Sequence, residues 1–405
     1  MHILLIADGR SPIARRWINT LAALDHQITL ISSSPCSTSE GVSRMEVIPL
    51  ALSNFTARST QASGATPAVA AGGKRKLIST FRGFLLALRY RLGPLSVRLA
   101  ARRYRRLLAE IQPDLVHALR IPYEGMLASF TPPGIPLAIS IWGNDLTLHA
   151  RQNGWMADMT RRALLRADGL HTDAQRDLRL ARQWGFPENR PSLVTPSNGG
   201  IDLTLLTGCR EPLPAELEAR IPAGRPLVIN PRGVRAYTCT GTFFQSIPLV
   251  AERMPEVLFV CPGMAGETEA ERWVERLKLN DHVVLLPGLP QSQLWGLFSR
   301  CPVSVSLTTH DGTPNTLLEA MACGSFPIAG DIESLREWLI PGQNGLLVEP
   351  QNPAAAAEAI VQALENDALR QKAVEKNLQL IQERAEVNQV RPQVQVFYQW
   401  VWGLR

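Results

Sequence analysis

The chain alternates between short apolar runs and stretches of helical spacing. HILLIA (2–7) is an apolar run closed by the polar turn DGRSP. It is followed by a helical pattern, RRWINTLAAL, and a second apolar run, QITLIS. Apolar runs of four to eight residues bounded by turn residues read as buried strands. DLVHAL and PLAISIW continue the series. After SNGGID (197–202) the alternation restarts with PLVINP, VLFVCPG, HVVLLPG, PVSVSL and SFPIAG, separated by helices such as EAERWVERLKL and PAAAAEAIVQAL. Strands alternating with crossover helices predict parallel sheets covered on both faces. The expected fold class is therefore α/β, with two Rossmann-like doubly wound halves. The boundaries are set at 1–196, 197–385 and a terminal segment 386–405. No repeat of 20–50 residues is evident. Ligands of such sheets bind beyond the carboxyl ends of the strands, and between two such halves the expected site is a cleft.

Length agrees with this division, because 405 residues exceed one ordinary core. Hydrophobic content of 45% and charged content of 19% fit a folded soluble protein. The six cysteines are scattered and form no C-x-x-C, so neither a zinc site nor a disulfide framework is expected. They fit a reducing cytosol. The amino-terminal apolar run is too short for a signal peptide. No apolar stretch free of breakers is long enough to span a bilayer.

Charge changes the picture at one place. Val47 to Ala109 holds no acidic residue and twelve Lys and Arg, whereas the remainder carries 30 basic and 36 acidic residues. The basicity is local. Within it, KRKLISTFRGFLLALRYRLGPLSVRLAARRYRR interleaves arginine with leucine and aromatics. One reading is docking on an anionic membrane surface through residues 74–106. The other is an ordinary helix packed by its leucines with arginines in water. No nucleic-acid module is recognisable. Ala51 to Gly73, small and polar, reads as a flexible excursion.

The chemistry concentrates in DGTPNTLLEAMACGSFPIAGD (311–331). Asp311 follows the strand PVSVSL closely, so it lies at a carboxyl end. Pro314 marks a helix start. Backbone N–H groups near Asn315, Thr316 and Leu317 would then form an anion site suited to a diphosphate. Glu319, a turn further in, could accept from a ribose diol. Thr316-Leu-Leu-Glu319 also fits a capping box, in which Glu319 only satisfies the helix end.

The same stretch resembles the acid-G-x-P-x-x-x-x-E-A-M-A-x-G-x-P signature of the retaining GT-B glycosyltransferases. It is carried by Asp311, Gly312, Pro314, Glu319, Ala320, Met321, Ala322 and Gly324, with Pro327 one position late. Glu337, Gly342, Asn344 and Gly345 continue the likeness. The resemblance implies a GT-B fold. Its first domain would bind an acceptor, its second a UDP- or GDP-sugar, and its terminal helix would return to the first domain with Tyr398, Trp400 and Trp402 packed there. It assigns Glu319 to the nucleotide ribose and Asp311, where relatives carry Glu, to the donor sugar. Arg232 takes the family's phosphate-binding position, and Arg235 stands in for an absent lysine. Gly263 and Gly288 match turns near the base, and Gly9 matches the loop facing the diphosphate. Asp145, in ISIWGND, and His117, in DLVHAL, match acceptor-side positions. For His117 a satisfied structural histidine is the alternative.

The resemblance further implies transfer with retention, assisted by the leaving diphosphate, to a hydroxyl of a glycan or lipid-linked acceptor. No D-x-D occurs, so no metal and no cofactor beyond the donor are expected. The expected location is cytoplasmic, including the inner face of the cell membrane. Two competing readings are a GT-B nucleotide-sugar epimerase, which lacks the 311–324 signature, and a non-catalytic scaffold of the same fold.

Overall fold

The computed structural model describes residues 1–37, 40–51 and 72–404, with side chains in the helix beginning at Gly72 described from residue 87 onward. The excursion expected at Ala51 to Gly73 lies outside them except at its ends. The chain forms two compact units. One comprises Met1–Gly200 with Val390–Arg405, the other Ile201–Gln389.

The first unit holds seven parallel strands: β1 (His2–Ala7), β2 (Gln27–Ser32), β3 (Arg44–Val47), β4 (Leu115–Ala118), β5 (Leu137–Ile141), β6 (Gly169–Thr172) and β7 (Ser192–Val194). Their order is 3-2-1-4-5-6-7. Continuous apolar strands follow from burial on both faces. Alternation along β1 sends Leu4 and Ile6 to one core layer and Ile3, Leu5 and Ala7 to the other. The strand order reverses between β1 and β4, so the ligand-binding end is where Asp8 and Leu119 begin their loops.

The second unit repeats the plan with β8 (Leu227–Ile229), β9 (Leu258–Cys261), β10 (Val283–Leu285), β11 (Val303–Ser306), β12 (Phe326–Gly330) and β13 (Leu346–Val348) in the order 10-9-8-11-12-13. Its order reverses between β8 and β11, which pair directly. The match to GT-B architecture is in the strand order itself: two doubly wound α/β units.

Two helices depart from the sequence reading. The terminal helix Val387–Trp402 packs Val390, Val394, Phe397, Tyr398 and Val401 into the first unit. These positions form one helical stripe. Trp400 falls off the stripe and is 56% exposed, and Trp402 at the frayed end is also exposed. Only Tyr398 of the three expected aromatics is buried.

The helix Gly72–Ile111 turns Tyr90, Val97, Ala101, Tyr104, Leu107, Leu108 and Ile111 inward. Leu92, Leu95 and Leu99 face outward, Leu99 at 73% exposure, followed by exposed Arg102, Arg103 and Arg106. From residue 87 onward the helix thus packs on the first unit through other positions, with its arginines in water as the ordinary-helix alternative expected, while these three leucines stay outside. The basic side chains of 74–86 lie outside the described residues. Among the described residues no helix is long and apolar enough to cross a membrane.

Candidate functional site

In the second unit, β8 and β11 bring together two loops distant in sequence. Beyond β8, Asn230 accepts the Arg232 N–H on its Oδ1 at 3.1 Å, fixing the turn. Beyond β11 comes Asp311, whose Oδ1 accepts the Gly312 N–H at 3.1 Å. Its carbonyl receives the Ser334 hydroxyl at 2.8 Å. Arg232 Nη2 donates to Asp311 Oδ2 at 2.5 Å, and Nη1 donates to Thr316 Oγ1 at 3.2 Å. Arg232 Nε is buried and makes no hydrogen bond within the protein. Arg232, Asp311 and Thr316 thus form one cluster at the switch point.

The helix over the signature spans Asn315–Ala322 with Pro314 as its N-cap. Proline stands at the cap rather than in the first turn. The N–H groups of Asn315 and Thr316 lie ahead of the helical ladder. The Leu317 N–H does not, because it donates to the Pro314 carbonyl at 2.9 Å. The expectation that Leu317 is an open donor is corrected on that ground.

The capping-box alternative also falls, since Thr316 lies inside the helix and spends its hydroxyl oxygen on Arg232. Glu319 is buried, 4% exposed, and its Oε1 accepts from Gln291 Nε2 at 2.6 Å. Gln291 opens the helix after β10 and was not foreseen; its partner is 28 positions away.

Arg235 does not join the cluster. It is exposed, and its Nη1 donates to the Tyr237 hydroxyl at 3.1 Å. Gly263 has a positive φ of 74°, the left-handed region that glycine enters without steric cost. Its N–H donates to the Pro287 carbonyl at 3.0 Å, so the turns bearing Gly263 and Gly288 adjoin.

In the first unit, Gly9 lies just past β1. A Cβ there would stand 2.5 Å from Cys36 Sγ, so a close approach of chains requires glycine. Asp145 is completely buried. Its Oδ2 accepts the N–H groups of Ile121 at 3.1 Å and Trp142 at 3.2 Å, and Arg120 Nη2 stands 3.7 Å from its Oδ1. Burial pushes its carboxyl up to about 6, against the pull of Arg120. With no exposed atom it touches no substrate in this arrangement; it positions Arg120 and the two loops.

Arg120, which stacks over the Trp142 ring at 5.3 Å, and Glu124, whose Oε1 takes the Ser33 hydroxyl at 2.5 Å, escaped the sequence reading. The signal was available: both sit in the loop after β4, beside the strand-order reversal. Burial raises the Glu124 carboxyl as well.

His117 is corrected to a structural residue. It has no exposed surface, and both ring nitrogens are engaged. The Trp17 indole can only donate, and it donates to the Tyr398 hydroxyl at 3.0 Å. At the far end of the relay the Thr195 carbonyl can only accept, and read back through two neutral rings this makes Tyr398 give its own proton to His117 Nδ1 at 2.5 Å. His117 Nε2 donates to Ser140 Oγ at 2.9 Å, Ser140 to His171 Nδ1 at 2.9 Å, and His171 Nε2 to the Thr195 carbonyl at 3.1 Å. Both histidines are neutral. Burial drives His117 well below its usual range and His171 down to about 4.

Comparison with known proteins agrees with this architecture. Residues 239–379 match the model for group 1 glycosyl transferases, and residues 9–196 match that for the glycosyl transferase 4-like domain. A D-inositol 3-phosphate glycosyltransferase of Xylanimonas cellulosilytica is 26% identical over 205 residues, 47% of each chain. A phosphatidyl-myo-inositol mannosyltransferase of Mycobacterium tuberculosis is 34% identical over 200 residues, 48% of this chain and 51% of that one. The chain thus spans about half the length of these curated relatives. Among solved structures, Anabaena Alr3699/HepE in complex with UDP has a TM-score of 0.68 at 15% identity, covering 98% of this chain and 100% of the other. A UDP-forming trehalose-phosphate synthase from Burkholderia xenovorans has a TM-score of 0.73 at 13% identity, covering 98% and 99%. The chain belongs to the group 1 glycosyltransferases of GT-B fold.

Proposed function

We propose that the protein is a retaining glycosyltransferase that moves a sugar from a nucleoside-diphosphate sugar to a hydroxyl acceptor without a metal ion. The observation that carries this reading is the cluster at the β8/β11 switch point. It joins a guanidinium, a carboxylate and a helix N-terminus on the ligand-binding end of the sheet, with a second carboxylate, Glu319, one turn further along the same helix. The second unit takes the donor. Arg232 and the N–H groups of Asn315 and Thr316 meet the diphosphate, Glu319 meets the ribose, and Gly263 and Gly288 border the base. Stabilising charge on the departing diphosphate is the main contribution these groups can make. That suits a reaction in which the leaving group itself takes the acceptor proton. Several structural relatives are complexes with UDP or a UDP-sugar, which favours a uridine donor over a guanosine one.

The first unit takes the acceptor, with Arg120 and Glu124 at its switch point. The relatives named for inositol phosphate and phosphatidylinositol support an acceptor that is phosphorylated or lipid-borne. A surface fits the second option. Leu92, Leu95 and Leu99 form an exposed stripe continued by Arg102, Arg103 and Arg106, an arrangement that lies well at an anionic membrane. The protein would then work at the inner face of the cell membrane.

Incubation with UDP- and GDP-sugars without acceptor tests the reading. Slow release of nucleoside diphosphate and free sugar is expected. A changed sugar still attached to nucleotide would indicate an epimerase, and no binding of any nucleotide would indicate a scaffold.

A further inference from the structure

We propose that Asp311 competes with the donor diphosphate for Arg232, so that the phosphate site yields to a nucleotide carrying a sugar more readily than to the bare diphosphate. This rests on the donor-site reading above. Arg232 Nη2 and Asp311 Oδ2 stand 2.5 Å apart, with side chains only 9% and 19% exposed, so solvent screens the pair little. No lysine occurs between Lys76 and Lys278, and Arg235 is turned out to Tyr237. With Arg232 matched by Asp311, the cluster carries no surplus positive side-chain charge.

A diphosphate oxygen and the Asp311 carboxylate seek the same guanidinium edge, and charge-assisted hydrogen bonds of this kind are the strong ones. Each therefore weakens the other's hold on Arg232. When a nucleotide sugar enters, the displaced carboxylate recovers partners from the sugar hydroxyls. When a bare nucleoside diphosphate enters, it recovers none. The same asymmetry acts after transfer. The product has lost its sugar, Asp311 returns to Arg232, and release is hastened. Asp311 is thus a specificity-determining residue that acts on the phosphate as well as the sugar.

The experiment measures affinity and dissociation rate for uridine, UDP and UDP-glucose, or the guanosine set if that binds, with the full chain. The proteins are wild type, Asp311→Asn, Arg232→Ala and the double variant; Asp311→Ser serves if Asp311→Asn folds poorly. Asp311→Asn should bind UDP about tenfold tighter, with slower release, while uridine stays within about twofold, since one charge-assisted bond is at stake. The preference for UDP-glucose over UDP should shrink toward none. In the Arg232→Ala background the Asp311 substitution should raise UDP affinity by a clearly smaller factor, since only repulsion between carboxylate and diphosphate is then relieved. An Asp311→Asn protein that binds UDP no tighter, or tighter by the same factor without Arg232, overturns the proposal. Failure of every nucleotide to bind wild type and variants removes the donor-site reading, and this proposal with it.

Discussion

Tyr398 and His117, 281 positions apart, share a 2.5 Å hydrogen bond inside the first unit. Tyr398 also receives the Trp17 indole N–H, so one hydroxyl satisfies two buried groups and ties the terminal helix to the sheet. Tyr398→Phe strands both. Each buried unsatisfied group costs about 1–3 kcal/mol, so a loss of about 2–4 kcal/mol in urea unfolding is expected. A loss under about 0.5 kcal/mol would show that the hydroxyl is not shared as described.

The histidine relay makes stability pH-dependent. His117 and His171 titrate lower in the folded chain than the unfolded value of about 6.5, so the unfolded state binds more protons in acid. Their contribution is present above about pH 6.5 and is lost as pH falls below it, for His171 through about 4. Asp145 works oppositely: its folded value of about 6 is raised above the ordinary one, so its contribution is present in acid and is lost as pH rises through 6. The wild-type acid slope is therefore partly offset. Asp145→Asn should steepen it by up to about 1.4 kcal/mol per pH unit between pH 6 and 4, read from urea midpoints. Equal slopes in the two proteins would contradict the burial of Asp145 as an ionisable partner.

Glu319→Ala should weaken binding of a nucleoside diphosphate by about 1.5–3 kcal/mol, the worth of hydrogen bonds to a charged group, in calorimetric titration. The 2′-deoxynucleotide should lose less on the same substitution. Unchanged affinity would remove Glu319 from the ribose.

Gly9→Ala should destabilise the first unit by about 1–3 kcal/mol, because its Cβ would stand 2.5 Å from Cys36 Sγ. Cys36→Ala removes the sulfur and should restore most of the loss in the double variant. No rescue would mean that the glycine is required for another reason, such as close approach of a ligand.

Leu92→Ser, Leu95→Ser and Leu99→Ser together should reduce cosedimentation with vesicles containing phosphatidylglycerol. They should shift the thermal midpoint little, since these side chains face solvent. Undiminished binding, or a large fall in midpoint, would contradict an outward membrane-facing stripe.

The amino-acid sequence by itself determined the α/β class, the two doubly wound halves and the place of Asp311 at a strand's carboxyl end. These depend on apolar period, turn residues and chain order, all of which are local. It also carried the family signature. The pairing of Arg232 with Asp311 spans 79 positions, and that of Arg232 with Thr316 spans 84. They exist because β8 and β11 lie side by side, which no local pattern specifies. The same holds for the relay that buries His117, for the turn of Arg235 away from the cluster, and for the outward Leu92–Leu99 stripe. A basic, leucine-rich helix offers two usable faces, and the packing of Val97, Tyr104 and Leu108 against the sheet selects the one that stays outside. Long-range packing thus decided which charged and polar groups were paired with protein and which were left open to a ligand.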